Sequence, residues 1–434
     1  MNLPILPASP SPAKVPRPAP VHGPWRLARL LDAPHRLGFF AGATLLAITA
    51  AWWTTTLVAR AAGVSLPWAV PPGPAHGLAF AFGFMPLFIV GFFFTAGPRW
   101  LGLPAVEART LVAPVCGLFG GWLVALAGFH VSATIAAAGI GLATLCWVAV
   151  LARLLKLITA SHAPDRTHAW VVALAGCVGA LAMGAAAAGI ATGHPNTVRA
   201  ATAAALWGFL APTFASVSHR MIPFFTASAM PRFEAWAPNG LMALMLAALG
   251  ISAVVSVAEA IAWPLAASWH IVAVVVQAPA AALMVFLAFR WGLVQSLRIR
   301  LLAMLHAGFV WLGIALALSA LSHARILVWG EAAGLGLAPL HALTAGYLGA
   351  TLFAMTTRVS SGHSGRPLSA DNPAWLLYLA VQAAALSRVT ASLWPAIATP
   401  LTVAAAVAWA FACVGWALRY GNWFGRPRVD GRPG

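Results

Sequence analysis

Charge is what this chain has least of. Only 8% of its 434 residues are charged, and just eight of those are Asp or Glu. A soluble globular domain carries roughly 25% charged residues. None of the carboxylates lies centrally in a long apolar run, and Glu259 stands near the end of one, so a carboxylate proton relay has little to be built from. Cysteine is scarce too. Cys116, Cys146, Cys177 and Cys413 all fall in apolar stretches and none pairs as C-x-x-C. That argues against a disulfide framework or a zinc ligand set and for small packing residues. No two histidines are adjacent, so the His-His pair of a terminal-oxidase heme–copper centre is missing. Period-two alternation is absent as well, which excludes a lipid-facing β-barrel.

What is present is hydrocarbon. Apolar residues make up 61% of the chain, more than a water-soluble core of this length can hide. They fall in runs of the ~20 residues that span a bilayer as a helix. Candidate spans lie near 37–59, 76–98, 110–129, 132–152, 169–191, 199–218, 240–263, 268–290, 301–321, 334–357, 374–396 and 398–418. The expected fold is all-α: a polytopic transmembrane helix bundle of about twelve spans, because each helix satisfies its own backbone in lipid. Prolines inside spans, at 86, 114, 212, 279 and 339, predict kinks or breaks. No short-period repeat is legible, and a six-plus-six relation is left open.

The net charge of +17 gives orientation. With the N-terminus inside, every Lys and Arg falls on the cytoplasmic side except Arg60, Arg199, Arg325 and Arg388. That bias is the positive-inside rule and predicts an N-in/C-in chain. No basic stretch is interleaved with aromatics, so the charge is read as topology and lipid headgroup contact rather than nucleic-acid binding. The expected division is a Pro-rich cytoplasmic tail over 1–36, a transmembrane domain over 37–420 and a short basic cytoplasmic tail over 421–434. The longest connections are expected near 152–168, 219–239 and 358–373. Nothing indicates the oligomeric state.

Polar residues within spans are costly, and function is to be sought there. Histidine dominates, with 13 against eight acids. Neutral imidazole ligates heme iron and copper and is less costly to bury than a carboxylate. His76, His130, His194, His270 and His323 lie near external helix ends, and His341 somewhat further in. His219 and His363 lie at the cytoplasmic side, with His306 one to two turns deeper. A terminal imidazole often only sits among headgroups, and that is the plainer reading of His130, His194, His270 and His323. His76, His306 and His341 each lie on an apolar helix, which favours ligand or proton-relay roles as much as packing. At about 1.5 Å per residue, His341 and Arg358 stand roughly 25 Å apart on the tenth span, which therefore reaches a site at each face. Its exit, from Arg358 through Ser360, Ser361 and His363 to Arg366, is suited to an anionic group or to lipid phosphate. SHRMIPFFT at 218–226 ends at the same face, so His219 and Arg220 are expected near Arg358 and His363. Arg388 is the one basic residue set well within hydrocarbon.

These segments carry a resemblance. HGLAFAFGFMPLFIVGFFFTAGPRWLG from His76, HRMIPFFT at 219–226, LHAGFVWLG at 305–313, LHALTAGYLGATLFAMTTRVSSGHSGRPL at 340–368 and the terminal PRVDGRPG resemble the NnrS family, from about residue 36 to the C-terminus. The resemblance implies a twelve-helix protein of the bacterial inner membrane, containing heme and copper and linked to nitric oxide and resistance to nitrosative stress. It makes His76, His306, His341 and His363 cofactor-ligand candidates, with His76, His306 and His341 as the metal set, and places Arg358 and Arg388 at basic family positions. One departure stands out. Many members place a His and a Glu shortly after the counterpart of His76, where this chain has Leu78 and Ala79, leaving open one cofactor rather than two. The resemblance assigns no reaction. The competing reading is a secondary transporter of a small solute without a metal cofactor, which twelve helices and broken spans would suit and the dearth of intramembrane carboxylates would not.

Overall fold

The computed structural model describes residues 23–432. Most of the Pro-rich leader lies outside the described residues. These contain no strand and twelve helices long and apolar enough to cross a membrane: α1 (Pro34–Ala61), α2 (Pro72–Trp100), α3 (Ala108–Val131), α4 (Ala133–Ala160), α5 (Thr167–Ala191), α6 (Pro195–Ala229), α7 (Asn239–Ala262), α8 (Ala267–Arg290), α9 (Arg300–Trp329), α10 (Glu331–His363), α11 (Asn372–Leu393) and α12 (Pro395–Phe424). Each overlaps one expected span. Ser132 alone separates α3 from α4. Leucines such as Leu145, Leu181 and Leu418 point outward, at 70%, 75% and 73% exposure, as lipid-facing side chains do.

The expected long connections are shorter, because the helices continue. α4 runs to Ala160, α6 to Ala229 and α10 to His363. SHRMIPFFT and the polar exit of the tenth span are therefore helical, and Ser218, His219, Ser360 and Ser361 are buried against neighbouring helices rather than turned to water.

The bundle consists of three units of four spans, not two of six. In each unit the second span is broken by a π-helical stretch: Ala79–Gly83 in α2, Ala204–Leu210 in α6 and Ala342–Gly349 in α10. The last span of each unit packs on the first span of the next, α4 on α5 and α8 on α9, and α12 closes the ring on α1. The broken spans meet in the middle, where the π stretch of α2 touches that of α6 and α6 touches that of α10. In their most apolar windows α2, α6 and α10 are 83%, 61% and 72% buried, against 28% to 50% for the third and fourth spans of the units. The relation leaves a short trace in the sequence. Gly83-Phe84-Met85, Gly208-Phe209-Leu210 and Gly346-Tyr347-Leu348 occupy the same place, and Thr95, Arg220 and Arg358 stand at equal distances beyond them.

Proline explains much of the breakage. Pro86 and Pro212 have no N–H to give to a carbonyl one turn back. Just ahead of each, the backbone bonds in the wider π register, a form that recurs at functional sites. Pro339 sits instead ahead of its π stretch, in the first turn of the α10 helix proper at Ala338. Pro279 lies inside a continuous α8. The close crossing of α1 and α2 rests on Gly38 and Gly91, since a methyl group on Gly38 would meet the backbone of Gly91.

With an even number of spans, both ends share one face, here the terminal face; the opposite one is the far face. Arg26 N–H donates to the Gly425 carbonyl at 2.8 Å. The Arg36 guanidinium donates to the carbonyls of Phe424 (2.9 Å) and Arg426 (2.8 Å), tying the two ends together.

Candidate functional site

At the far face, α2 and α10 each bring a histidine to the end of a π stretch. His341 and Arg388 lie within electrostatic range of His76. Its ring stacks on Trp53 of α1 with centroids 4.1 Å apart and planes 13° from parallel, and Phe80 packs on it at 4.4 Å. His76 Nδ1 is buried without a hydrogen-bond partner. His341 Nδ1 lies 2.9 Å from the Leu337 carbonyl, one turn back. An Nδ1–H donating there leaves the Nε2 lone pair free, the arrangement of a metal-ligating imidazole. Arg388 holds Ser392 Oγ at 2.9 Å and has no carboxylate partner among the described residues. His76, His341 and Arg388, from three distant segments, thus lie within electrostatic range of one another.

The other candidates lie at the terminal face and do not form one site with each other. His306 is fully buried. Its Nε2 meets Thr226 Oγ1 at 3.2 Å, its Nδ1 is unpartnered, and among the described residues no second imidazole faces it. Arg358 lies 3.9 Å over the Phe225 ring. His363 packs on His35 with centroids at 4.4 Å. The expected meeting of His219 and Arg220 with Arg358 and His363 is not formed. His219 Nδ1 lies 3.2 Å from His168 Nε2 instead, and Arg220 lies over Trp100 at 4.8 Å. The reason is helical phase: α6 continues as helix through this stretch, which turns His219 toward α5.

The C-terminal tail closes this face. Arg428 donates to the His363 carbonyl at 3.0 Å and Val429 N–H to the Ser364 carbonyl at 3.0 Å. Gly365 takes φ +74°, and a side chain there would collide with Asp430. Arg428 pairs with Asp430 at 2.7 Å, and those hydrogen bonds hold the Asp430 carboxyl down to about 2.

A further far-face cluster was not singled out from the sequence. His270 and His323 meet Nδ1 to Nδ1 at 2.8 Å. Glu331 lies 3.8 Å from His270 Nε2, and Glu259 lies 3.8 Å from His323 Nε2. Sorting residues by topology does put all four at one face; what it cannot supply is the packing of α7, α8 and α9 that makes them neighbours. Likewise His35 and His168 open the first spans of their units, but their partners are far off in sequence.

Leu78 and Ala79, at the departing positions, are both fully buried in apolar packing. Among the described residues no three His, Cys, Asp or Glu side chains converge as a metal site. No curated protein matches the chain. Residues 29–428, nearly all of it, match the family described as NnrS protein. With twelve spans and the motif-bearing helices α2, α6 and α10 at its centre, the chain belongs to the NnrS family.

Proposed function

We propose that this chain is a heme-holding protein of the bacterial inner membrane that acts in the response to nitric oxide and nitrosative stress, with its terminal face in the cytoplasm. The observation that carries the reading is the far-face pair. His341 is held by the Leu337 carbonyl with its Nε2 left free, and His76 keeps a buried nitrogen without a partner. An unpaired buried polar group costs about 1–3 kcal/mol, and a metal ligand bond would answer it. The residues fit an imidazole-ligated group: His76 and His341 would hold the iron, and Arg388, lacking a carboxylate, would meet an anionic substituent such as a propionate. Bound there, heme would supply an iron that takes a diatomic gas. The chain's own part is to orient two imidazoles and to set Trp53 and Phe80 against His76.

Copper receives less support. His306 has one neighbouring hydroxyl and no second imidazole, and Leu78 and Ala79 add no ligand beside His76. The transporter reading lacks intramembrane carboxylates: α2 and α6 contain none, and the one in α10 is Glu331 at its first residue. No reaction is assigned.

The test is the reduced-minus-oxidised spectrum and metal content of protein purified from cells supplied with heme precursor and copper. A Soret band that shifts when nitric oxide is added to the reduced form is expected. Pure, folded protein with neither metal would overturn the reading.

A further inference from the structure

Four far-face groups stand in a line: Glu331 at the opening turn of α10, His270 in the first turn of α8, His323 near the end of α9 and Glu259 near the end of α7. The two imidazoles are shut away, at 2% and 5% exposure, while the glutamates reach outward, at 29% and 40% for their side chains. Two imidazoles between two carboxyl groups make a titratable cluster at the edge of an apolar bundle. Arg325 donates to the Ala333 carbonyl at 2.8 Å and lies over Trp329. Arg199 of α6 is within electrostatic range of Glu259. Trp263 closes on His270 edge-on, with centroids at 6.5 Å.

The N···N separation identifies what fits between the rings. A metal bound to both nitrogens at about 2.0–2.1 Å would hold them roughly 3.3 Å apart in tetrahedral geometry. A contact of 2.8 Å is that of one N–H donating to one lone pair. Each outer Nε2 then faces a carboxylate, so the line can carry one excess proton, with the positive charge on either ring.

We propose that His270 and His323 form a proton-binding site that takes up one proton from the far-face medium through Glu331 and Glu259 and shares it between the two rings. The carboxyl O–H of the delivering glutamate breaks as an N–H bond forms on the ring beside it, the existing inter-ring N–H passes to the partner nitrogen, and no other bond changes. The line is a store rather than a channel. About 10 Å deeper, Gln277 donates to Ser252 Oγ at 3.1 Å across the same α7–α8 seam. Below that, the buried side chains are Met245, Ala248, Leu249, Ala281 and Met284, which carry no proton onward. The site is independent of the heme reading, since it shares no residue with the His76–His341 pair.

Histidine-15N labelled protein in lipid nanodiscs tests it by magnetic resonance. A 15N–15N coupling across one inter-ring hydrogen bond is expected in the unmodified protein, with both rings changing in a single step across a pH series, and its loss in H270Q and in H323Q. E259Q should move the imidazolium signature onto His270, beside the remaining carboxylate, and E331Q should move it onto His323. Two rings titrating in separate steps without coupling would overturn the proposal. So would zinc retained at one equivalent through dialysis and lost in H323Q.

Discussion

Two histidine pairs share the far face, and they differ in what surrounds them. His76 and His341 stand beside an arginine, with His76 packed between two aromatic rings; His270 and His323 stand between two glutamates. Imidazole is the same group in both places, but the neighbours select among its forms. Arg388 calls for an anion and leaves the rings as neutral lone-pair donors, which is what a metal uses. Glu259 and Glu331 call for a cation, and the smallest one that fits a 2.8 Å gap is a proton. A pair of histidines is therefore not a site type until the sign of its surroundings is known.

Exchange of the two roles would break this comparison. The largest effect expected is complete loss of the Soret band in H76A and in H341A, with heme content unchanged in H270Q and H323Q, read by pyridine hemochrome assay on folded protein. Loss of heme from either of the latter would make the glutamate-flanked pair part of the same centre. Next is R388Q. A hydrogen bond to a charged group contributes about 1.5–3 kcal/mol, so heme affinity should fall about ten- to a hundredfold, measured by transfer to an apoprotein acceptor; an unchanged transfer rate would remove the arginine from the contrast. W53A takes away the ring stacked on His76. At about 0.5–1.5 kcal/mol for such an aromatic pair, heme affinity should fall about two- to tenfold.

The smallest effect serves as a control for any pH experiment on the glutamates. The Arg428–Asp430 clasp lies outside the spans, and its carboxyl is held below the ordinary range, at about 2. Its stabilising contribution is present above the ordinary carboxylate pKa of about 4 and is lost as pH falls through about 2. Between pH 7 and pH 4 the clasp should stay closed, as read by carboxypeptidase resistance of the C-terminus, whereas D430N should open it at neutral pH. If the unmodified tail is released in that window, acid effects could not be ascribed to the far face.

The twelve spans were legible because hydrocarbon imposes length and composition on every crossing segment, and the basic residues sort by side. His76 and His341 stood out as imidazoles on apolar helices. Their meeting did not, because it depends on how α2 and α10 approach at the centre, and nothing local encodes that. The helical extension of α6 was missed because polar residues such as Ser218 and His219 look like a loop when burial against protein is not visible. The three-unit relation escaped because its sequence trace is a glycine, an aromatic and an aliphatic residue within helices of the same composition throughout. His270 and His323 were set aside as headgroup residues, since each one alone is just that; their carboxylate partners lie on other helices.

The closed ring of units has a consequence for how such a chain can grow. Four crossings return it to the face from which it set out, so a tandem copy of the coding segment enters without turning anything downstream inside out. A duplicated stretch of three or five crossings would invert every later loop and strand its arginines on the wrong side. An internal duplication keeps the sidedness of later loops only in even steps, and a ring that seals last helix to first leaves a fourth unit no seam to enter without reopening one.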